Sequence, residues 1–260
     1  MGGKDMSESV LIGGLNVDKV SRDSLADELI ADVDRDLERP RLVFSVNGQG
    51  ISMAATDPEF LDNIRKGDLR HADGMSVVFA SRLLTRTPLP ERVATTDFFH
   101  DAARAGEPKG LKFFFLGASE DVVRRAYYAA KDQYPEIEWV GFRDGYFSED
   151  EEADVCRELV ESGADVVWVG LGRPKQEAFC VRNAHRLQGI TWMKTCGGLF
   201  DFLAGNNPRA PQWMQSLGLE WLFRTMQEPR RLLRRYIVTN AHAVWLFLTR
   251  SGRVARRLEP

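Results

Sequence analysis

The chain has 260 residues, of which 43% are hydrophobic and 28% charged, and its net charge is −3. This composition supports a sizeable core, and the lack of an 18-residue apolar run argues against an integral membrane protein. The first ten residues, MGGKDMSESV, contain no signal-peptide core. The three cysteines form no CxxC pair, which favours a reducing cytoplasm and argues against structural zinc.

Positive charge is concentrated at the C-terminal end. Residues 209–260 contain ten arginines, no lysine and three glutamates, a net charge of +7, which leaves −10 for the rest of the chain. Such asymmetry predicts a basic appendage on an acidic body. We therefore divide the chain into an α/β catalytic domain, residues 1–208, and a basic helical appendage, residues 209–260.

Apolar runs alternate with segments of helical periodicity along the first 200 residues. In chain order the pattern predicts a strand at 11–17, a helix at 21–37, a strand at 41–46, and a helix at 52–66 with Asp57-Pro58 marking a turn inside or before it. A short segment 68–72 then precedes helices at 75–84 and 96–105. Then come strands at 111–116, 137–142, 165–169 and 190–195, separated by helices at 119–134, 149–162 and 175–186, and final helices at 213–221 and 230–249. This alternation is typical of parallel βαβ units in a doubly wound, mostly parallel sheet.

Ligands of such sheets bind beyond the carboxyl ends of the strands. Polar or glycine-rich segments follow several predicted strands, namely Asn47, Asp73-Gly74, Gly117, the loop with Gly172, Lys175 and Gln176, and Gly197-Gly198. The loop at 172–176 is of the kind that holds a phosphorylated ligand, whereas Gly197-Gly198 is equally consistent with a tight turn. The absence of GxGxxG and GxxxxGK[ST] counts against a dinucleotide enzyme or a P-loop NTPase.

Asp73 is the most informative acidic residue, because it lies in the loop-like sequence HADGMS before an apolar helix. Its carboxylate is either the N-cap of that helix or, if partly buried, a general base. His71 is expected to be solvated or structural, and Asp201 is either a turn residue or a ligand contact. No cluster of His, Cys and Glu with metal-ligand spacing is present, so the sequence implies no metal and no cofactor.

Several sequence blocks resemble the WecG/TagA/CpsF family of bacterial glycosyltransferases. They are HADGMSVVFASRLL, PLPERVATTDFF, FFFLGAS, GADVVWVGLGRPKQE and GGLFDFLAGNNPRAPQWMQSLGLEWLFRTMQEPRRLLRRY. The resemblance implies a Rossmann-like α/β fold with a C-terminal helical appendage. It also implies transfer of a sugar from a UDP-sugar to a polyprenyl-diphosphate-linked sugar at the inner face of the cell membrane, in the synthesis of a surface polysaccharide. A homo-oligomer is left open, and so is an inactive nucleotide-sugar-binding or scaffold protein of the same fold.

The resemblance also implies roles for individual residues. Asp73 matches the catalytic base. Residues that match donor- or diphosphate-binding positions are Ser45, Asn47, Arg92, Gly172, Lys175, Gln176, Gly197, Gly198 and Asp201. Residues that match the lipid-diphosphate or membrane contacts of the appendage are Arg224, Arg231 and Arg234. The block around Arg92 continues Ala94-Thr95-Thr96-Asp97, where the family usually has Gly before Thr or Ser and Asp.

The last predicted helix has an apolar segment at 237–248 that is too short to span a bilayer and is flanked by arginines. This pattern is typical of an interfacial helix on an anionic membrane, although a helix packed on the domain with a solvated basic face gives a similar pattern. The absence of lysine, together with the interleaved Trp245, Leu246 and Phe247, favours lipid over nucleic acid as the partner.

Overall fold

The computed structural model describes residues 8–252, apart from the side chains of Arg231, Arg234 and Arg235. The strands in that part of the chain are β1 (Ser9–Ile12), β2 (Leu15–Asp18), β3 (Arg41–Val46), β4 (Leu69–Ala72), β5 (Lys112–Gly117), β6 (Glu138–Arg143), β7 (Val166–Gly170) and β8 (Trp192–Thr195). The last six form one parallel sheet in the order β4-β3-β8-β7-β5-β6. The predicted doubly wound α/β fold is confirmed.

Helices cover both faces of this sheet. They are α1 (Arg22–Val33), α2 (Gly48–Ala54), α3 (Pro58–Arg65), α4 (Met75–Leu84), α5 (Thr95–Gly106), α6 (Glu120–Gln133), α7 (Glu152–Glu161), α8 (Lys175–Asn183), α9 (Leu199–Leu203), α10 (Gln212–Ser216), α11 (Glu220–Gln227) and α12 (Pro229–Arg250). One hydrophobic core lies between the sheet and α1, α5, α6 and α9. The other lies between the opposite face and α2, α3, α4, α7, α8 and the end of α12.

The strands are buried on both faces, as the continuous apolar runs predict for a parallel sheet. Along β5, Phe113 and Phe115 pack in the core that includes α5 and α6, whereas Phe114 and Leu116 pack in the other core. This alternation fixes which side chains can meet on each face of the sheet.

The predicted strand at 11–17 is wrong, because these residues form an antiparallel hairpin of β1 and β2. Gly13 and Gly14 have φ values of 58° and 90° and make the two-residue turn, which requires the left-handed backbone that glycine adopts readily. The predicted helix at 52–66 is two helices. Asp57 accepts a hydrogen bond from the Phe60 amide as the N-cap of α3, and Pro58 occupies its first position.

The appendage is also divided differently from the prediction. The predicted helix at 213–221 is broken at Gly218, whose φ is 73°, and so becomes α10 and the start of α11. The C-terminal half of α12 buries Ala243, Leu246 and Phe247 in the same core as the hairpin. The separation into domains at residue 208 stays a prediction.

Candidate active site

The carboxyl edge of the sheet brings together the segments predicted to carry the chemistry. Asn47 follows β3, Asp73 follows β4, Gly172 follows β7 and Gly197 follows β8. Because β3, β4, β8 and β7 lie in one continuous part of the sheet, these segments line a common edge.

Asp73 is half-buried at this edge, and its amide extends the ladder by donating to the Val46 carbonyl at 2.8 Å. The N-cap of α4 is Gly74, so the cap interpretation is wrong for that helix. Asp73 Oδ1 instead accepts a hydrogen bond of 2.8 Å from the amide of Thr95, the first residue of α5. This contact orients the carboxylate, and among the described residues Oδ2 receives no hydrogen bond, so that oxygen has no protein donor competing with a ligand.

Arg173 connects β3 to the loop after β7, a role that was not predicted from the sequence. It donates to the Asn47 side-chain oxygen at 2.7 Å, to Ser45 Oγ at 2.8 Å and to the Ser45 carbonyl. Asn47 Oδ1 also accepts from the Gly50 amide at 3.0 Å, as the N-cap of α2. Ser45 and Asn47 therefore lie at the predicted edge, but their oxygens are bound to protein donors. Arg173 could have been predicted as a residue of this edge, because it lies in the glycine-rich loop that follows a predicted strand.

Gln176 and Glu177 fix the start of α8 in the interior. Glu177 is fully buried and accepts from Arg173 Nε at 3.0 Å and from Gln176 Nε2 at 2.9 Å. Gln176 Oε1 in turn accepts from the Gly197 amide at 3.2 Å. The structure thus gives Gln176 a bracing role between two loops, and its predicted contact with substrate stays a prediction.

Lys175 is exposed at the same end of α8 and lines an open cleft of about 360 Å³. Acidic and basic side chains also line the cleft, namely Asp57 at the N-cap of α3, Glu149 just before α7, Glu152 on α7 and Arg182 on α8. Gly172, with a φ of 74°, turns the chain between β7 and this helix. A phosphorylated ligand at the edge of the sheet would have both the cleft and the Lys175 ammonium beside it.

The Gly197-Gly198 turn meets the appendage. Gly197 has a φ of 54°, and a side chain added at Gly198 would lie 3.8 Å from the guanidinium of Arg224, on α11. That guanidinium also stacks over Phe202, 5.4 Å from the ring centre. The predicted appendage residue Arg224 therefore does reach the carboxyl edge of the sheet.

Asp201 closes the turn that follows α9. Its Oδ1 accepts from Asn206 Nδ2 at 3.2 Å, and its carbonyl accepts from the amides of Asn206 and Asn207. The turn interpretation accounts for these contacts, and a ligand contact of Asp201 stays a prediction. Arg231 and Arg234 lie on α12, and their side chains are outside the described part of the structure.

Arg92 belongs to a charged cluster that joins α5 to the appendage. It donates to Glu220 at 3.0 Å and lies 3.5 Å from Asp97, while Arg209 contacts the same two carboxylates at 3.2 and 2.8 Å. Burial alone would raise the pKa of Asp97, but the hydrogen bond and charge of Arg209 outweigh it and lower that pKa. Arg92 thus ties the two parts of the chain together, and its predicted contact with the donor stays a prediction.

Two buried polar residues, Lys194 and His71, lie beneath the edge, and Lys194 was not predicted from the sequence. Lys194 on β8 is fully buried, and its ammonium donates to the Thr195 carbonyl at 2.7 Å. His71 on β4 is also fully buried, which excludes the predicted solvated alternative, and neither ring nitrogen has a hydrogen-bond partner among the described residues.

The appendage exposes many large apolar side chains. On α12 they are Leu233, Ile237, Val238, Val244, Trp245 and Leu248, and around α10 and α11 they include Trp213, Leu217 and Met226. No helix within residues 8–252 has the length and apolar content needed to cross a membrane. Within the same range, no group of three or more His, Cys, Asp or Glu side chains is arranged to hold a metal ion.

Comparison with known proteins gives two matches. The family model described as "Glycosyl transferase WecG/TagA/CpsF family" matches residues 10–257. An N-acetylglucosaminyldiphosphoundecaprenol N-acetyl-beta-D-mannosaminyltransferase from Bacillus subtilis (strain 168) is 32% identical over 193 residues, 74% of this chain and 74% of the relative. The first match spans nearly all of the described residues, including every segment at the carboxyl edge.

Proposed function

Since the chain belongs to the WecG/TagA/CpsF family of glycosyltransferases, we propose that it transfers a sugar from a UDP-sugar to a polyprenyl-diphosphate-linked sugar in the synthesis of a cell-surface glycan. The name of the Bacillus subtilis relative describes transfer of N-acetylmannosamine to N-acetylglucosaminyldiphosphoundecaprenol. The chain aligns with about three quarters of that enzyme, which supports an acceptor of the same chemical class.

The observation that carries this proposal is the position of Asp73. The carboxylate is held at the carboxyl edge by the Thr95 amide, and one of its oxygens is left for substrate. In the proposed reaction the acceptor hydroxyl oxygen attacks the anomeric carbon of the donor and gives its proton to Asp73. The bond from that carbon to the diphosphate oxygen breaks, and its electron pair leaves with UDP.

Negative charge grows on UDP as it departs, so the site needs positive charge or amide donors near the diphosphate. Lys175 and Arg224 are the basic side chains that the sequence predicted and that lie at this edge. A guanidinium binds a phosphate through two parallel hydrogen bonds, which suits Arg224 to this task. We propose that these two side chains, with Arg231 and Arg234, contact the diphosphates of donor and acceptor.

The exposed apolar side chains of α12 support attachment to the cytoplasmic face of the membrane. Ile237, Val244 and Leu248 follow one another at spacings of seven and four residues, on one side of the helix, while Ala243 and Leu246 pack into the core on the other. A helix with one apolar side exposed and arginines near both ends is suited to lie in the plane of an anionic membrane. The lipid-linked acceptor would then be presented beside the site.

The test is a transfer assay with a synthetic N-acetylglucosamine diphosphate carrying a short lipid chain. A set of UDP-sugars that includes UDP-N-acetylmannosamine is first screened for thermal stabilisation, because a ligand of the folded state raises its apparent stability. We expect one UDP-sugar to stabilise the protein and to yield the corresponding disaccharide on the lipid. Absence of transfer with every UDP-sugar would contradict the proposal.

A further inference from the structure

The helix that follows Asp73 exposes large apolar side chains on its outer side. Phe79 and Leu83 on α4 are four residues apart and so share one side of the helix, and their exposed fractions are 38% and 83%. Met75, half-buried, precedes Phe79 at the same spacing. The opposite side of α4 is buried in the core against the sheet. Packing within the fold therefore does not account for Phe79 and Leu83.

The turn between α10 and α11 borders this outer side of α4. A side chain added at Gly218 would lie 3.0 Å from Met75 Cβ and 3.5 Å from a ring carbon of Phe79. The residue before the glycine, Leu217, is 60% exposed. The turn therefore brings a third exposed apolar residue to the first two turns of α4.

The C-terminal half of α12 borders a different side of the same helix. A side chain added at Gly48 would lie 3.5 Å from Ala243 Cβ and 3.6 Å from Ser76 Oγ. One added at Gly252 would lie 2.6 Å from the Leu84 carbonyl oxygen. The start of α4 is thus near the middle of α12, and the end of α4 is near the residues that follow α12. The two helices run side by side in the same direction.

The outer sides of these two helices face the same way, because α4 and the end of α12 pack into the same core on one face of the sheet. On α12 the exposed apolar side chains in this half are Val244, Trp245 and Leu248. Phe79 and Leu83 therefore continue the apolar surface of α12 that is proposed to rest on the membrane.

This apolar strip starts beside the proposed base. The first residue of α4, Met75, is two residues after Asp73. Since a helix rises about 1.5 Å per residue, Leu83 lies about 12 Å further along than Met75. In the proposed reaction the acceptor sugar lies at Asp73, and the diphosphate separates that sugar from its lipid. The lipid chain needs an apolar path from the edge of the sheet to the bilayer, and the outer side of α4 provides one.

Charge at the far end of α4 favours a lipid over a second copy of the chain. Arg82 and Arg86 are exposed on either side of Leu83 in the sequence. In a symmetric pair of copies the same surface meets itself, so these arginines would be brought towards their own equivalents. Anionic lipid headgroups would instead attract them.

We propose that the outer side of α4, with Met75, Phe79 and Leu83 and with Leu217 beside them, binds the polyprenyl chain of the acceptor and leads it from Asp73 to the bilayer. This inference rests on the proposed lipid-linked acceptor. It assigns the isoprenoid part of the substrate to apolar side chains on the helix that follows the base.

The experiment measures kcat/KM for N-acetylglucosamine diphosphates that carry one, two or three isoprene units, without vesicles and below the concentrations at which they form micelles. The donor is the UDP-sugar that the thermal screen selects. For the wild type we expect kcat/KM to rise about tenfold from one unit to three, which requires burial of roughly 55 Å² of apolar surface.

Leu83→Ser should reduce this rise to less than about threefold, because it removes apolar surface from the path of the longer chains. The acceptor with one isoprene unit should react within about twofold of the wild-type rate, since Leu83 lies about 12 Å beyond the start of the helix. Leu83→Met keeps an apolar side chain and should keep the dependence on chain length. Val160→Ser is the matched control, because it removes an exposed apolar side chain from α7.

The high exposure of Leu83 keeps these substitutions out of the core, and circular dichroism of each variant checks the fold. Wild-type rates that do not change with chain length would overturn the inference. So would a Leu83→Ser variant that keeps the full increase, or one that loses activity equally with all three acceptors. In each of these cases, transfer by the wild type would leave the proposed function standing. Absence of wild-type transfer to every acceptor with every UDP-sugar would contradict the proposed function, and the inference would fail with it.

Discussion

Replacement of Lys194 by methionine should make the stability of the protein less dependent on pH. The methionine keeps most of the buried stem and removes the ammonium. In the wild type the pKa of Lys194 falls from the usual 10.5 to about 8 on folding. Between these two values the unfolded chain holds a proton that the folded chain has lost, so the free energy of unfolding rises with pH across that window.

The size of the effect follows from the pKa change. One pKa unit corresponds to 1.36 kcal/mol. The decrease in the pKa of Lys194 therefore corresponds to about 3 kcal/mol in the free energy of unfolding. Lys194 is fully buried, so solvent screening does not reduce this figure much. Below pH 8 the buried ammonium lowers the free energy of unfolding of the wild type by this full amount. Above pH 10.5 Lys194 is neutral in both states and the effect is absent.

The measurement is urea unfolding of the wild type and Lys194→Met, at several pH values from neutral to alkaline, with a reductant present because Cys156, Cys180 and Cys196 are free. Subtracting the two free energies removes the titration of every other group. As the pH rises from 8 to 10.5, we expect the free energy of unfolding of the wild type to increase by about 3 kcal/mol relative to that of the variant. Lys131→Met, on the exposed side of α6, is the control for loss of a lysine charge in water. A difference that does not change with pH would refute the assignment of a desolvated ammonium.

Four further outcomes are expected. Asp73→Asn should lower transfer on the order of 10²- to 10⁴-fold with UDP-sugar binding intact, as measured by initial rates and thermal shift, and more than half of the wild-type turnover would rule it out as the base. Activity should persist in excess chelator, because the sequence shows no metal-ligand spacing, and loss in EDTA that magnesium or manganese restores would contradict this. Glu220→Ala should lower stability by about 1–3 kcal/mol in urea unfolding, because it removes a charged hydrogen-bond partner from the half-buried Arg92 and Arg209; if Arg92 binds the donor, only Arg92→Ala should also weaken UDP-sugar binding. Ile237→Ser with Leu248→Ser should weaken binding to anionic vesicles in flotation but not transfer to a soluble acceptor analogue, whereas Val160→Ser, exposed on α7, should change neither.

Much of the fold follows from the sequence because the apolar runs are long and the strands are buried on both faces. The acid after β4 was identified from the loop-like sequence HADGMS before an apolar helix and from the family resemblance, since residues 68–72 stood out only as a short segment. The hairpin was missed because its two strands are only four residues each and Gly13-Gly14 falls within one apolar stretch.

The details of the site depend on which side chains pair across the fold, and spacing does not reveal that. Ser45 and Arg173 are 128 residues apart in the chain, and so is the pair formed by Arg92 and Glu220. Lys194 did leave a signal, because a lysine inside a strand of a parallel sheet faces a core on either side. Which of the two cores it faces required the register of β8 with β3.

The hairpin turn and the end of α12 hold one another in place. The Gly14 amide donates to the Arg250 carbonyl at 2.8 Å, the Gly13 amide to Ser251 Oγ at 2.8 Å, and the Gly252 amide to the Leu11 carbonyl at 3.0 Å. Segments from opposite ends of the chain therefore close on each other, and neither can open alone. Hydrogen exchange at these three glycine amides is consequently expected to occur in one cooperative opening, at a rate set by the release of the whole helix from the core rather than by fraying of its last turn.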